Sequence, residues 1–193
     1  LLARSANRIR EYAKETTRDQ HILRRRHLLF DFDPVRPSGI SATEDEHDAA
    51  LHRMIVVRFW LRDQGWPDPI IADSGNGGHL VYAIDLPNDA DSGALVERCL
   101  KALDFRFSDA RVVVDTATGK AAQLWKVPGT WAQKGDDLPE RPHRRATLLS
   151  APEALTPVTL AHLEALADLA PSPQPAGSAA APGAFDLAAW IER

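Results

Sequence analysis

The sequence of 193 residues has little cysteine, no long apolar run and no excess of positive charge. Its single cysteine, Cys99, excludes an internal disulfide framework and is typical of a reducing, cytoplasmic location. Because no run of 18 apolar residues is present, a transmembrane helix is excluded and no membrane partner is expected. The net charge of −4 excludes a protein that coats nucleic acid by charge alone. Hydrophobic residues make up 44% of the chain, which is enough to build a core.

Charge is unevenly distributed along the chain. Residues 1–30 contain eight basic and three acidic side chains, a net charge of +5, whereas residues 31–50 carry −5 and residues 120–145 carry +3. Two basic segments on either side of an acidic one suit an anionic partner together with bound cations. Solvated helix faces would give the same pattern, so both interpretations stay open here.

Hydrophobic periodicity and turn residues predict an α+β fold rather than a doubly wound parallel sheet. Strands are predicted over residues 27–33, 70–72, 79–84, 111–115, 123–127 and 144–149, with the glycine-rich segment 74–78 forming a hairpin turn. Helices are predicted over 3–17, 43–65 and 92–103, and another is predicted to begin at Thr156 as its N-cap. A capping box of Thr43 and Glu46 marks the start of the second helix. Residues 171–184 are rich in Pro, Ala, Ser and Gly, which predicts a linker.

Acidic residues stand at the ends of two apolar strands. Asp31 and Asp33 are two positions apart, so strand geometry directs both carboxylates to one face. Two carboxylates at such a short separation repel each other unless a cation lies between them. Mg²⁺ and Mn²⁺ prefer such oxygen ligands together with substrate phosphates. Asp115 ends a second apolar strand in the same way. The three residues therefore predict a two-metal phosphoryl-transfer site, although a single strand-terminal Asp often only begins a turn.

A glycine-rich loop and a group of basic residues are candidates for phosphate binding. The loop is Ser74, Gly75, Asn76, Gly77 and Gly78, followed at once by His79. Its glycines allow main-chain N–H groups to turn inward as an anion nest, and an ordinary structural turn is the alternative. The basic residues are Lys126, Lys134, Arg141, His143 and Arg144, which are candidate ligands for phosphate oxygens or members of a solvated loop. Trp125 and Trp131 are expected to pack in the core or to stack on bases.

Other uses of these residues fit the sequence less well. A haloacid-dehalogenase phosphatase would need an apolar continuation after Val35, where Arg36, Pro37 and Ser38 stand instead. The segment around Gly119-Lys120 lacks the glycine and the hydroxyl residue of a Walker loop. No Cys-x-x-Cys pair exists, and the histidines show no recognisable zinc-ligand spacing.

Five blocks of the sequence, in order, resemble the catalytic domain of the archaeo-eukaryotic primase superfamily, and in particular the phage- and plasmid-type primase-polymerases. The blocks are Asp31-Phe-Asp33-Pro-Val-Arg-Pro-Ser-Gly-Ile-Ser, Asp73-Ser-Gly-Asn-Gly-Gly-His79 through Asn88, Val114-Asp115-Thr, Trp125-Lys-Val-Pro-Gly-Thr130 and Lys134-Gly followed by Glu140-Arg-Pro-His-Arg144. The resemblance covers roughly residues 5–170. It implies a catalytic domain over residues 1–170, built on a modified RNA-recognition-motif-like antiparallel sheet with an N-terminal α/β unit.

The resemblance also implies an activity: template-directed nucleotidyl transfer by a DNA primase or polymerase, in which a 3′-hydroxyl attacks the α-phosphate of a nucleoside triphosphate. By the motif matches, Asp31, Asp33 and Asp115 bind Mg²⁺ or Mn²⁺, His79 closes the triphosphate-binding motif and Lys126 contacts the triphosphate. The partners implied are a single-stranded nucleic-acid template, a primer and nucleoside triphosphates. Residues 185–193 resemble the start of the segment that follows this domain in longer relatives, which implies a helicase or zinc-binding region beyond them.

The chain departs from the family pattern at three positions. Gly77 stands where the second motif usually has Ser, and Lys120 and Gln123 stand where Asn and Arg commonly follow the third-motif Asp. Loss of that Arg removes a bidentate donor, so either catalysis is weaker or Lys120 substitutes. Two other hypotheses therefore stand beside the enzyme: a weakly catalytic nucleic-acid-binding module of a replication initiator, and a phosphoesterase that uses the same carboxylates.

Overall fold

The computed structural model describes residues 11, 12, 14 and 16–172. Within them an antiparallel five-stranded sheet packs against three α-helices, which confirms the predicted α+β class. The strands are β1 (Arg24–Pro34), β2 (Ile70–Asp73), β3 (Gly78–Pro87), β4 (Val112–Val114), β5 (Trp131–Ala132), β6 (Arg144–Arg145) and β7 (Thr147–Ser150). The helices are α1 (Glu44–Asp63), α2 (Ala90–Phe107) and α3 (Leu160–Ala167). The sheet has the order β4-β1-β3-β2-β7, and β5 pairs with β6 in a separate ribbon.

The central part of β1 has two chemically different faces. Leu28, Phe30 and Phe32 are buried in the core that the sheet shares with the helices. Side chains alternate along a strand, so Asp31 and Asp33 lie on the opposite face. The helices thus cover one face of the sheet, and the face that bears the carboxylates is covered by loops. We call it the open face.

Helix α1 forms as the sequence predicts. Thr43 Oγ1 accepts from the Glu46 N–H, and a Glu46 carboxylate oxygen accepts from the Thr43 N–H, which completes the capping box. The predicted inner face of Ala50, Met54, Val57 and Leu61 is fully buried. This helix fixes the sheet from the core side, directly behind the acidic strand.

The predicted hairpin is also confirmed. Strands β2 and β3 pair antiparallel through the turn at residues 74–77, and β3 pairs antiparallel with β1. In this register His79 lies opposite Asp31 on one side and opposite Ala72 on the other. The hairpin therefore brings His79 to the open face beside the first carboxylate.

Two strand predictions and one helix start need correction. Residues 123–127 form no strand, because the loop that contains them is held over the open face by the Ala122 N–H, which donates to Asp19 Oδ1 (2.8 Å). The single strand predicted over 144–149 is divided into β6 and β7, because the Ala146 N–H donates to Thr130 O (2.9 Å) at the break. Helix α3 begins after Thr159 instead of Thr156, since the Val158 N–H donates to Ala83 O (2.9 Å) and keeps the preceding residues extended.

Three predictions fall wholly or mostly on residues outside the described ones. These are the helix over 3–17, the linker over 171–184 and the segment 185–193. Of the first, the described residues 11, 12, 14, 16 and 17 are turn, bend and irregular structure. In the described part of the chain, no helix combines the length and the apolar composition that crossing a membrane requires.

Candidate functional site

A cavity of about 270 Å³ lies on the open face, and we call it the Asp31 cavity. Its floor is formed by β1 and the start of β3, and its walls by the loops after β2 and β4 and the segment that contains β5. The predicted site residues that line it are Asp31, Asp33, Ser74, Asn76, His79, Lys126 and Lys134. Residues far apart in the sequence, with two carboxylates, a histidine and two lysines among them, therefore meet in one cavity.

Asp31 has a buried carboxylate oxygen without a hydrogen-bond donor. Among the described residues, none donates a hydrogen bond to its Oδ1 atom. His79 Nε2 lies 3.3 Å from this oxygen, an ion-pair distance without hydrogen-bond alignment, and both side chains are mostly buried. A buried carboxylate oxygen left unsatisfied is costly, so a cation or a donor from a ligand would stabilise it.

Asp33 lies in an environment that disfavours its charge. Burial and the neighbouring Asp31 carboxylate raise the pKa of Asp33 above its ordinary value. Arg36 Nη1 lies 3.5 Å from Asp33 Oδ1, and Arg36 and Lys134 offset part of the shift. The protein therefore compensates the charge of Asp33 only in part.

Asp115 neighbours Asp31 through the backbone, but its carboxylate is used elsewhere. The Asp115 N–H donates to Asp31 O at 2.9 Å, which extends the pairing of β1 with β4 by one residue. The Asp115 carboxylate accepts from the Ala117 N–H at 2.8 Å and caps the 3₁₀ turn Thr116–Gly119. It does not line the Asp31 cavity. Within the described residues, the one group of three ligand-type side chains with ligand atoms within 4.8 Å of one another is Glu44, His47 and Asp48.

Asp31 and Asp33 fit a divalent cation by their chemistry. The unsatisfied Asp31 Oδ1 atom and the raised pKa of Asp33 mark a pair of carboxylates that a hard cation such as Mg²⁺ or Mn²⁺ would stabilise. Asp115 does not line the cavity, and one of its two carboxylate oxygens, Oδ1, accepts from the Ala117 N–H. Of the three predicted metal ligands, Asp31 and Asp33 thus line the cavity, and Asp115 neighbours Asp31 through the backbone without lining it.

The loop at residues 74–77 is built differently from the predicted anion nest. The Gly75 N–H donates to Asp73 Oδ1 (2.6 Å), and the Gly77 N–H donates to Ser74 Oγ (3.0 Å). Asn76 is buried, and its Oδ1 atom accepts from the Ala42 N–H (2.7 Å). Because the Gly75 and Gly77 amides already have internal partners, they are not free to bind a phosphate. Ser74, Asn76 and His79 still line the cavity.

The glycines are needed for close packing. A Cβ at Gly77 would lie 2.1 Å from Phe32 O, and one at Gly78 would lie 2.7 Å from Met54 Sδ. Gly75 has a φ of +89° and a Cβ there would lie 2.7 Å from Ala132 Cβ. The loop therefore contains glycine because it lies directly against β1, α1 and β5.

A mostly buried pair of His47 and Asp73 supports the start of the loop at the end of β2. His47 Nε2 lies 3.0 Å from Asp73 Oδ1, the same oxygen that accepts from Gly75. Burial alone would raise the pKa of Asp73, but the hydrogen bonds from His47 and the Gly75 amide outweigh it and the pKa lies below its ordinary value. Asp73 is therefore a charged support for the turn.

The predicted basic ligands divide into two groups. Lys126 and Lys134 line the Asp31 cavity, and Lys126 Nζ donates to Trp131 O at its edge. Arg141, His143 and Arg144 do not line it, and their assignment to nucleotide binding stays a prediction. Arg141 donates to both Glu46 carboxylate oxygens (2.8 and 3.0 Å) and Arg144 to Glu44 (2.7 Å), while the His143 ring bonds Gly135 O (2.9 Å). The two arginines fasten β6 and the segment before it to the start of α1, and His143 bonds within that segment.

Two residues of the site were not predicted as ligands from the sequence. Thr118 is mostly buried but lines the cavity, and its Oγ1 donates to Leu29 O (3.2 Å). Gln123 lines the cavity and occupies one of the positions that depart from the family pattern. The resemblance gave a signal for Gln123, whereas nothing in the local sequence distinguishes Thr118 from an ordinary turn residue.

Searches of the chain against protein-family models, curated proteins and solved structures found no match.

Proposed function

We propose that this protein is a template-directed nucleotidyltransferase, a DNA primase or polymerase whose chemistry takes place in the Asp31 cavity. One observation carries the proposal: the same cavity holds two adjacent carboxylates with an unsatisfied oxygen, together with His79, Lys126 and Lys134. Carboxylates facing cationic side chains are what a metal-dependent reaction on a polyphosphate requires. The antiparallel sheet with helices on one face is compatible with the primase-polymerase fold that the motifs resemble.

Each side chain has a role that its environment supports. Asp31 and Asp33 would hold Mg²⁺ or Mn²⁺, which when bound stabilises negative charge on the reacting phosphate. His79 is mostly buried beside Asp31 and would donate a hydrogen bond to a phosphate oxygen. Lys126 and Lys134, which line the same cavity, would neutralise the remaining charge of the triphosphate.

A non-catalytic nucleic-acid-binding module is the second candidate. It is favoured by the Asp115 carboxylate, which bonds the Ala117 N–H and does not line the cavity. A binder has no need of a divalent ion between carboxylates, so metal binding separates the two candidates.

The test is a titration of the protein with Mn²⁺ in the presence of a nucleoside triphosphate. Electron paramagnetic resonance of the free ion measures how much Mn²⁺ is bound. The double variant Asp31→Asn with Asp33→Asn should lose the site, whereas Glu44→Gln with Asp48→Asn should keep it. The second variant is the matched control because Glu44, His47 and Asp48 are the competing ligand group. Mn²⁺ binding that is lost only in the control would assign the ion to α1 and remove the support for nucleotidyl transfer.

A further inference from the structure

A second cavity, of about 410 Å³, lies beside the first, and we call it the Trp125 cavity. The first half of β1 and the loop after β4 form it, with Arg25, His27, Gly119 and Lys120 among its lining residues. Leu29, Thr118, Gln123, Leu124 and Trp125 line both cavities. A ligand bound in the Asp31 cavity therefore has a neighbouring space into which its other end can extend.

Two polar atoms on the residues of this second cavity have no partner among the residues that the structure describes. Trp125 Nε1 and Arg25 Nε are buried, and neither donates a hydrogen bond there. Arg25 is otherwise held by its Nη1, which donates to Gly119 O at 2.7 Å. Buried donors without acceptors are uncommon in folded proteins and call for an explanation. An acceptor supplied by a ligand would provide one.

The surroundings of Trp125 are aromatic and apolar. The His27 ring meets the indole edge to face, with ring centroids 5.8 Å apart and an interplanar angle of 85°. Leu124, next to it in the chain, is 90% exposed although it lines both cavities. A leucine so exposed beside a partly buried indole suits contact with a flat, apolar ligand.

The chemistry of the joined cavities changes from one end to the other. The Asp31 end offers carboxylates, a histidine and lysines, which suit a polyphosphate and a cation. The Trp125 end offers an aromatic surface and unsatisfied N–H donors. A molecule with a polyphosphate at one end and a heteroaromatic ring at the other matches both.

We infer that the Trp125 cavity binds the base of the nucleoside triphosphate whose phosphates occupy the Asp31 cavity, with the base stacked on Trp125. This inference rests on the proposed function. Every base has an aromatic face, so stacking on the indole would accept all four bases. Selection among bases is then left to pairing with the template.

The test compares dATP with inorganic tripolyphosphate, each titrated with Mn²⁺ present into the wild type, Trp125→Leu and Trp125→Phe. Removal of stacking should weaken dATP binding by roughly 5- to 150-fold, the range that corresponds to the stacking free energy of one base. Tripolyphosphate binding should not change. Trp125→Phe keeps an aromatic face and loses only Nε1, so it should recover most of the affinity.

Several results would overturn the inference. One is equal loss of dATP and tripolyphosphate binding in Trp125→Leu, which would make Trp125 a support for the phosphate site. Another is weaker binding of a single-stranded oligonucleotide with dATP binding unchanged, which would assign the cavity to the template. If Trp125→Leu does not fold, the two affinities of the wild type still test the inference. Equal affinities for tripolyphosphate and dATP would show that the base contributes nothing to binding. Failure of the wild type to bind either ligand would instead remove the proposed function itself.

Discussion

His79 lies directly opposite Asp31 in the pairing of β1 with β3, with its Nε2 atom 3.3 Å from Asp31 Oδ1. The relationship depends on the hairpin register, because a shift of one residue would turn the imidazole toward α1. It joins the acidic motif and the glycine-rich motif, which are more than 40 positions apart in the chain, in a single cavity. The two motifs therefore contribute to one site.

Replacement of His79 should affect nucleotide binding more than template binding. His79→Ala removes a donor to the triphosphate, and a hydrogen bond to a charged group contributes about 1.5–3 kcal/mol, roughly 10- to 150-fold in affinity. The affinities for dATP and for a single-stranded oligonucleotide can be compared by fluorescence anisotropy. The control is His52→Ala, an exposed position on α1. Equal losses for both ligands, or no loss for either, would contradict the assignment.

Asp33→Asn should raise the free energy of unfolding at neutral pH. Folding raises the pKa of this carboxyl, so its ionised form destabilises the folded state at pH values above the folded-state pKa. The gain should shrink as the pH falls and should vanish below the unfolded value of about 3.9. Urea unfolding at several pH values measures this dependence.

Asp109→Asn is the matched control for that series. Arg53 and the amides of Arg111 and Val112 lower the pKa of Asp109, so its charge stabilises the fold. This variant should lose stability at neutral pH and approach the wild type in acid, the reverse of Asp33→Asn. The account of Asp33 fails if the two variants change stability in the same direction.

Gly77→Ala should be severely destabilising, because its Cβ would lie 2.1 Å from Phe32 O on a buried strand. We expect a loss of more than about 2 kcal/mol in the free energy of unfolding, the range typical of overpacking in a core. Gly93→Ala in α2 is the comparison, since there the nearest atom is the end of Arg25 at 3.5 Å. That variant should gain about 0.5–1 kcal/mol from the preference of helices for alanine. Similar unfolding midpoints for both variants would refute the packing role of Gly77.

Template affinity is predicted to come from Arg24, Arg25 and Arg26, at the start of β1, rather than from the whole surface of a chain with net charge −4. Their replacement by Ala should make the affinity for a single strand less dependent on salt. The slope of log affinity against log salt concentration should fall in magnitude by about 0.7 for each phosphate that the variant no longer neutralises. Asp85 pairs with Arg24 (2.7 Å) and Arg26 (3.1 Å). Asp85→Asn should therefore have the opposite effect and steepen the slope.

The control for the salt series is Arg98→Ala, which removes a surface arginine that pairs with Asp168 near α3. It should leave both oligonucleotide affinity and salt slope at wild-type values. If the triple arginine variant behaves like Arg98→Ala, those three arginines do not contact the template, and the template binds to another part of the surface.

Local signals in the sequence were sufficient for much of the fold. The capping box at Thr43, the alternation along 27–33 and the glycine-rich turn each specify their element through contacts within a few residues. The errors arose where distant contacts decide: Ala122 is held by Asp19 and Val158 by Ala83, and no local pattern records such bonds.

The candidate site was predictable to a similar extent. Strand periodicity brings Asp31 and Asp33 to one face, and the hairpin adds His79. The roles of Arg141 and Arg144 were not predictable, because basic residues in a loop look alike until their partners Glu46 and Glu44 are known. The Gly75 and Gly77 amides differ, because their acceptors Asp73 and Ser74 are two and three positions away, and such local side-chain bonds are typical of turns.

The central claim is that the Asp31 cavity catalyses template-directed nucleotidyl transfer. Its most direct test is an extension assay on a single-stranded template with labelled nucleoside triphosphates and Mg²⁺ or Mn²⁺, with and without a primer. The account predicts template-dependent, metal-dependent products from the wild type, and none from a folded Asp31→Ala, Asp33→Ala double variant. Products from the primed reaction alone would indicate a polymerase, and products without a primer a primase. A wild type that binds template and triphosphate but forms no phosphodiester bond, or a double variant that extends as well as the wild type, would contradict the claim.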